Sequence, residues 1–345
     1  MTETVITAWD AYSPLGHGAQ AHLAGLRAAA GHPAPPRPRI DGFEVREVLG
    51  RTGTRAMDRA AGLAVATTRR LLGRVGTPEA PFGDYLPDEI GLVLGVNDGI
   101  KSVSDFVRDS WTRDKPYDVD PSHIPRTLMN YAAGQCAIWH GIKGPNATIC
   151  GSHATGLLAL NYARRLQHNG HAKATVWGAV DEYSDDRAAV ESARSGHDGC
   201  SCAEGCVMFL LESAGAVAEG RSPLAAVIAV EFGVWFDPSG IRAALVRCLR
   251  RALERSGGDP SAVYAVSPSA RGGPFGAAEH AAVAEVFADV PMLTATAEAV
   301  GNTGAVSTAF QIVELLTHPG AADRIGVATT VDAEGRVGCA LFRIC

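Results

Sequence analysis

The chain has 345 residues, 46% hydrophobic and 20% charged, with 31 Lys plus Arg against 37 Asp plus Glu and a formal net charge of -6. This composition excludes a disordered chain, and the charge has the wrong sign for a general nucleic-acid binder. No apolar run approaches the roughly 20 residues of a membrane span, and Met1 to Asp10 lacks the order of a signal peptide, so a cytosolic globular protein with no nucleic-acid or membrane partner is expected.

Thr4 to Trp9 reads as a strand, followed by the turn Ser13-Pro14-Leu15-Gly16 and a helix from Ala19 to Ala29. A Pro-rich connection spans His32 to Arg39, and helical periodicity runs from Asp58 to Leu72. Ile90 to Leu94 is a short buried strand, and the Gly95 to Gly99 turn opens a helix to about Trp111. Asn130 starts a helix that ends near His140. Ala147 to Cys150 is a strand, Ala154 to Asn169 a long helix, and strands follow at Ala174 to Val180 and Cys206 to Glu212. The linker near Ala214 to Pro223 divides the chain into halves, 1–213 and 223–345.

The second half repeats the pattern. Strands are expected at Leu224 to Val234, Val263 to Val266, Arg324 to Thr330 and Val337 to Ile344. Helices are expected at Ile241 to Arg255, Ala277 to Phe287 and Thr303 to Leu316. Alternating strands and helices imply an α/β protein with mostly parallel sheets. Each half carries a strand, a Gly-containing turn and an Ala-rich helix. The turns are Gly151-Ser152-His153-Ala154-Thr155-Gly156 and Gly301-Asn302-Thr303-Gly304, which implies an internal duplication.

The eight cysteines are scattered, and a disulfide framework is not expected in a chain of this size. Cys200, Cys202 and Cys206 lack a second ligand pair at metal-site spacing, so they read as small buried side chains. No metal and no cofactor are expected. The chemistry belongs at Cys150 to Leu157. There a strand ends and a sharp turn presents one side chain at a helix N-terminus, where backbone N–H groups favour negative charge. Enzymes place a thiolate or an oxyanion at such an elbow. Here the side chain is His153.

The segment GPNATICGSHATGLLALNYA resembles the nucleophile segment of the ketosynthases, members of the thiolase superfamily. Gly144-Pro145-Asn146 and Gly156-Leu157 fix the register, and the family's nucleophilic cysteine falls on His153. VITAWDAYSPLGHGAQAHLAGLRA, MDRAAGLAVA, IPRTLMNYAAGQCAIWHGIKGPN and DGCSCAEGCVMFLLE are similar to further family segments, so the resemblance covers almost the whole chain. It implies the thiolase fold: two duplicated α/β halves in a five-layered αβαβα architecture.

A condensing ketosynthase would use a cysteine to carry the acyl chain and two histidines to handle protons and the enolate. The first histidine falls on Ser269 when the segment is aligned on Pro274, or on Pro268 when aligned on Glu279. The second falls on Asn302, and the usual upstream lysine on Ala297. Val331 to Gly338 lacks the phenylalanines of the family's gate loop, and the chain is trimmed between Phe236 and Ile241. His153, Ser269 and Asn302 therefore stand in for Cys-His-His, and catalysis of condensation by this chain is not expected.

A ketosynthase relative without its nucleophile resembles the chain-length factor of type II polyketide synthases, including the kind that makes reduced polyenes. The resemblance implies a heterodimer with an active ketosynthase, a shared acyl tunnel and an acyl carrier protein as partner. It places Thr127, Leu128, Met129 and Asn130 near the partner's active site. It also places Ile100, Val103 and Val107 on the chain-length gate, with Phe106 beside them. These three gate residues read equally as core contacts. Two enzymatic alternatives stand beside this reading. In one, His153 with Asn302 and Ser269 handles acyl or malonyl thioesters as a transferase, hydrolase or decarboxylase. In the other, Ser269 is the nucleophile and His153 its base. A third reading is a homodimer that only binds acyl chains or carrier protein. The bland reading of His153 is a filler of the vacated pocket, bonded to local backbone.

Overall fold

The computed structural model describes residues 3–31, 38–97, 100–195, 202–217, 220–269 and 271–345. The first half holds strands β1 (Thr4–Ser13), β2 (Gly16–His17), β3 (Ile90–Val96), β4 (Asn146–Ile149), β5 (Ala174–Asp181) and β6 (Gly205–Ser213). Its helices are α1 (Ala19–Gly31), α2 (Val45–Leu49), α3 (Arg59–Val75), α4 (Ile100–Thr112), α5 (Tyr131–His140), α6 (Thr155–His168) and α7 (Asp185–Ser195). The second half holds β7 (Ala225–Val234), β8 (Val263–Ser267), β9 (Ile325–Val331) and β10 (Arg336–Ile344). Its helices are α8 (Ile241–Ser256), α9 (Gly273–Val286), α10 (Ala295–Val300) and α11 (Ser307–Thr317).

Among the described residues the strands follow one path, β4-β3-β5-β6-β1-β7-β10-β9-β8, with β2 paired to β1. The two halves join through a narrow seam, Val5 opposite Ala226 and Ile6 opposite Ala225. Outward from that seam the order is β1-β6-β5-β3-β4 on one side and β7-β10-β9-β8 on the other. A bridge from Val266 to Met292 takes the position on β8 that β4 takes on β3.

The expectation of mostly parallel sheets is corrected. Among the described strand pairs only β3–β4, β3–β5 and β8–β9 are parallel, while β5–β6, β6–β1, β1–β7, β7–β10 and β10–β9 are antiparallel. Both faces of every long strand are covered. The strands therefore read as unbroken apolar runs, and such runs carry no signal of pairing direction.

Side-chain alternation sorts these strands into layers. On β6, Cys206, Met208 and Leu210 pack outward against α3 and α5, while Val207, Phe209 and Leu211 pack inward against α6 and α11. On β10, Ala340 and Phe342 face the same central helices, while Val337, Cys339 and Leu341 face α8 and α9. The result is helix, sheet, helix, sheet, helix.

Local chemistry sets the ends of these elements. The Asp58 carboxylate caps α3 by accepting from Ala61 N at 2.8 Å. Gly257 ends α8 with φ 106°. Arg59 and Glu204, from two of the family-like segments, close on each other. Arg59 Nη2 lies 2.6 Å from Glu204 Oε1, and Glu204 also accepts from Ile40 N and Tyr183 N.

Candidate functional site

The elbow forms where β4 ends. Residues Ser152–Ala154 make one 3-10 turn, and Ser152 takes the left-handed φ of 51° before α6 begins. That strain is characteristic of functional turns. The second Gly-containing turn lies directly against it. An added Cβ on Gly156 would stand 2.7 Å from Thr308 Cβ, so only glycine lets α6 approach α11 this closely. The two turns from the two halves thus meet at the centre of the molecule.

His153 is buried there, with 2% of its surface exposed. Its Nε2 lies 2.9 Å from Asn302 Oδ1. Gly304 N–H also donates to that oxygen at 2.9 Å, which fixes the orientation of the Asn302 amide. The Nε2 of His153 is therefore a donor. Its Nδ1 lies 2.9 Å from Arg271 Nη1, and a guanidinium only donates, so Nδ1 is an acceptor. Both contacts demand one neutral tautomer. Burial, then the Arg271 charge, pushes the His153 pKa down to about 3. Thr330 Oγ1 donates to the His153 carbonyl at 3.1 Å and anchors the backbone.

The structure brings His153 and Asn302 together but turns Ser269 elsewhere. The Ser269 hydroxyl and amide both donate to Glu279, which also accepts from Thr329 Oγ1 at 2.6 Å. Glu279 is fully buried, and this cluster is a structural anchor for the segment that carries Arg271. Arg271 is the site residue that sequence reasoning missed. Its guanidinium carbon lies 5.1 Å from the Phe275 ring centroid, and Phe275 packs at 5.9 Å on Trp235. These side chains form a continuous stack outward from His153. The filler reading of His153 is corrected in one respect: the ring bonds to the side chains of Asn302 and Arg271 rather than to local backbone.

Behind this pocket lies a buried ion pair, with Arg187 Nη2 3.0 Å from Asp181 Oδ2. Burial pushes Asp181 up to about 7, against the opposing pull of Arg187, Ala305 N–H and Asn97. Arg187 Nη1 also donates to the carbonyls of Glu182 and Ala203. Ala203 N in turn donates to Asn302 O at 2.7 Å, so the ion pair braces the turn that holds Asn302.

The expected gate residues lie at the surface of α4. Val103 is 41% and Val107 37% exposed, Phe106 is partly buried, and Trp111 on the same face is 82% exposed. Ile100 begins α4, and its side chain lies outside the described residues, as do Asp98, Gly99 and Cys200. Thr127 is partly buried, whereas Leu128, Met129 and Asn130 are exposed at the start of α5. Among the described residues no group of three or more His, Cys, Asp or Glu could hold a metal ion, and the described cysteines are free. No described helix is long and apolar enough to cross a membrane.

The His153 ring is expected to remain neutral, protonated on Nε2, from pH 8 down to about pH 4. Nitrogen-15 NMR of labelled histidine reads this directly, and an imidazolium forming near pH 6.5 would contradict the geometry. The linkage sign follows from a native pKa below the unfolded value of about 6.5. The unfolded chain binds more protons between the two values, so stability falls as pH drops from about 6.5 toward 3. His22 and His140, each pushed to about 4 by burial, act in the same direction. His153→Gln should flatten part of that acid loss.

The comparisons with known proteins agree with this geometry. The family model described as "Beta-ketoacyl synthase, N-terminal domain" matches residues 38–216. A 3-oxoacyl-(acyl-carrier-protein) synthase 2 from Synechocystis sp. is 29% identical over 51% of this chain and 45% of its own length. The match thus spans less than half of that curated relative. The solved structure described as the ishigamide ketosynthase/chain length factor is 39% identical, with TM-score 0.87 and 99% of each chain covered. The ketosynthase ApeO in complex with its chain length factor ApeC, from Xenorhabdus doucetiae, shares the fold at TM-score 0.80 and 15% identity, covering 100% of this chain and 98% of that one. With the thiolase-type layering, the strand-elbow-helix site and a family match over more than half its length, this chain belongs to the beta-ketoacyl synthase family.

Proposed function

We propose that this chain is a chain-length-factor subunit of a type II polyketide synthase. In this reading it pairs with an active ketosynthase, shapes the tunnel for the growing acyl chain and does not itself catalyse condensation. The observation that carries the reading is the state of His153. It stands where a ketosynthase holds its nucleophile, with Nε2–H given to Asn302 and the Nδ1 lone pair taken by Arg271. Neither nitrogen is left to attack a thioester or to accept a proton. The thioester-handling alternative would need Arg271 to leave. The Ser269 alternative would need an imidazole partner, and that hydroxyl is directed to Glu279.

The 39% identity to a ketosynthase/chain length factor structure over the full chain supports the same reading. So does the surface. Among the described residues β4 lies at the end of the strand order with one edge unpaired, and it leads into the elbow. Val103, Val107 and Trp111 form an exposed apolar row on α4, with Leu128 and Met129 exposed nearby. Scattered exposed apolar residues mean little, but a grouped set points to a protein interface. In this reading an acyl carrier protein delivers substrate to the partner's active site, and Val103 and Val107 wall the tunnel between the subunits.

The test is an assay of malonyl extension on carrier protein by each purified chain and by the pair. Only the pair should extend. Val103→Phe or Val107→Phe should shift the products of the pair to shorter chains without abolishing turnover. Condensation by this chain alone would overturn the assignment, and unchanged product lengths would remove the gate from α4.

A further inference from the structure

The neutral ring is the form of histidine that attacks acyl groups, so its charge state does not by itself silence His153. Its neighbours do. A neutral imidazole has one free ring lone pair, and Arg271 Nη1 takes it at 2.9 Å. Ser152 Oγ stands 3.4 Å from the same nitrogen, too far to replace that donor. Asn302 holds the opposite nitrogen, so the ring cannot turn over without losing both bonds.

Arg271 is held in place from several sides. Ser269, two residues earlier, gives its hydroxyl and its amide to Glu279. A Cβ added to Gly276 would stand 1.8 Å from Arg271 O, so α9 seats directly against the backbone there. The guanidinium carbon lies 5.1 Å from the Phe275 ring centroid, and that ring packs at 5.9 Å on Trp235. Trp235 N–H donates to Gly335 O at 2.8 Å, in the turn between β9 and β10. Exposure rises along this series. His153 is 2% and Arg271 6% exposed, Phe275 and Trp235 are partly buried, and Phe236 is exposed. The series runs from the ring to solvent and fills that way.

We propose that Arg271 is a positioning residue that keeps the one lone pair of His153 occupied and, with Phe275 and Trp235, closes the route by which a carrier-borne thioester would reach it. The proposal rests on the functional reading given above and adds how the site is kept silent. A free Nδ1 would attack the thioester carbonyl carbon. The new C–N bond would replace the C–S bond, and the leaving thiolate would take the Nε2 proton. Water would then cleave the acylimidazole to the carboxylic acid and restore the ring. Each such cycle would discard an acyl chain. Arg271 blocks the first step, and the stack keeps the substrate away.

The experiment treats the full chain with diethyl pyrocarbonate at pH 7 and follows each histidine by peptide mass spectrometry. The ring lone pair attacks one carbonyl carbon, the central C–O bond breaks, ethyl carbonate leaves and the other ring nitrogen gives its proton to solvent. His168 and His171 are exposed references, and His22, 0% exposed, reports unfolding. In the wild-type chain His153 should react at least about 100-fold more slowly than the references, because it is reached only through local opening. Arg271→Ala should bring it to within about tenfold of them while His22 stays protected. Phe275→Ala, which removes the ring behind the guanidinium at a partly buried position, should give an intermediate rate and guards against a first variant that unfolds. Reaction of His153 at the reference rate in the wild-type chain would overturn the proposal. So would a His153 that stays protected in both variants, or that gains reactivity only together with His22. The readout needs no partner subunit. A chain that fails to pair would overturn the functional reading with this measurement intact, and an unprotected His153 would overturn the lock with pairing intact.

Discussion

Replacing Gly304 with alanine is expected to destabilise the chain by about 4–7 kcal/mol. Gly304 has φ 54°, and a Cβ there would lie 2.5 Å from Asp181 Oδ2 and 2.7 Å from Arg187 Nη2. Two costs add. An L side chain in the left-handed region costs about 1–2 kcal/mol. Displacing one member of a buried ion pair costs about 3–5 kcal/mol, because the other charge is left without compensation. Gly170 is the control. It has φ 71° with nothing within 4 Å of an added Cβ, so Gly170→Ala should show only the backbone cost. Thermal denaturation of both variants separates the terms, and equal losses would refute the steric argument. Gly304→Ala should also disturb the amide that fixes the His153 tautomer, since Gly304 N–H donates to Asn302.

Glu204→Ala is expected to lose about 3–5 kcal/mol, lowering the thermal midpoint by roughly 6–15 °C. Glu204 is fully buried and receives four groups of three separate segments. These are Arg59 Nε at 2.9 Å, Arg59 Nη2 at 2.6 Å, Ile40 N at 2.7 Å and Tyr183 N at 3.1 Å. Truncation leaves a largely buried guanidinium and two amide donors without their acceptor. Glu204→Gln should be milder, because an amide oxygen still accepts. A variant as stable as wild type would show that the carboxylate is not the tie between the segments before α2, after β5 and before β6.

Much of this site was legible in the sequence, and the limits have physical causes. His153 and Asn302 were found because glycine-bearing turns fix the register wherever backbones meet closely. Arg271 was not. It lies between Ser267 and Pro274, where the alignment could slide by one residue, and a single arginine beside Gly272 and Gly273 carries no periodicity. Its meaning comes from reaching the ring of a residue 118 positions away. Ser269 was grouped with the wrong partners for the same reason, since Glu279 and Thr329 recruit it through tertiary contacts alone. Helices α7 and α10 also escaped. The first is rich in charge, and the second is six residues long. The layering was recoverable from the resemblance, but the strand directions were not, because double burial erases the alternation that reveals a sheet's exposed face.

The place of β1 has a consequence for synthesis. This strand is made before the other strands of the sheet, yet its long-range pairings are with β6 and β7, and Thr7 meets Glu212 across 205 residues of chain. At roughly 5–20 residues per second, a ribosome needs about 10–40 s to deliver those partners. Throughout that interval Thr4–Ser13, buried along its whole length in the finished protein, lacks the two strands that flank it there. Asp10 can meet Arg70 and Arg74 of α3 long before β6 exists. Early docking onto α3 would shelter one face of the nascent strand while its hydrogen-bonding edges wait for the centre of the chain to arrive.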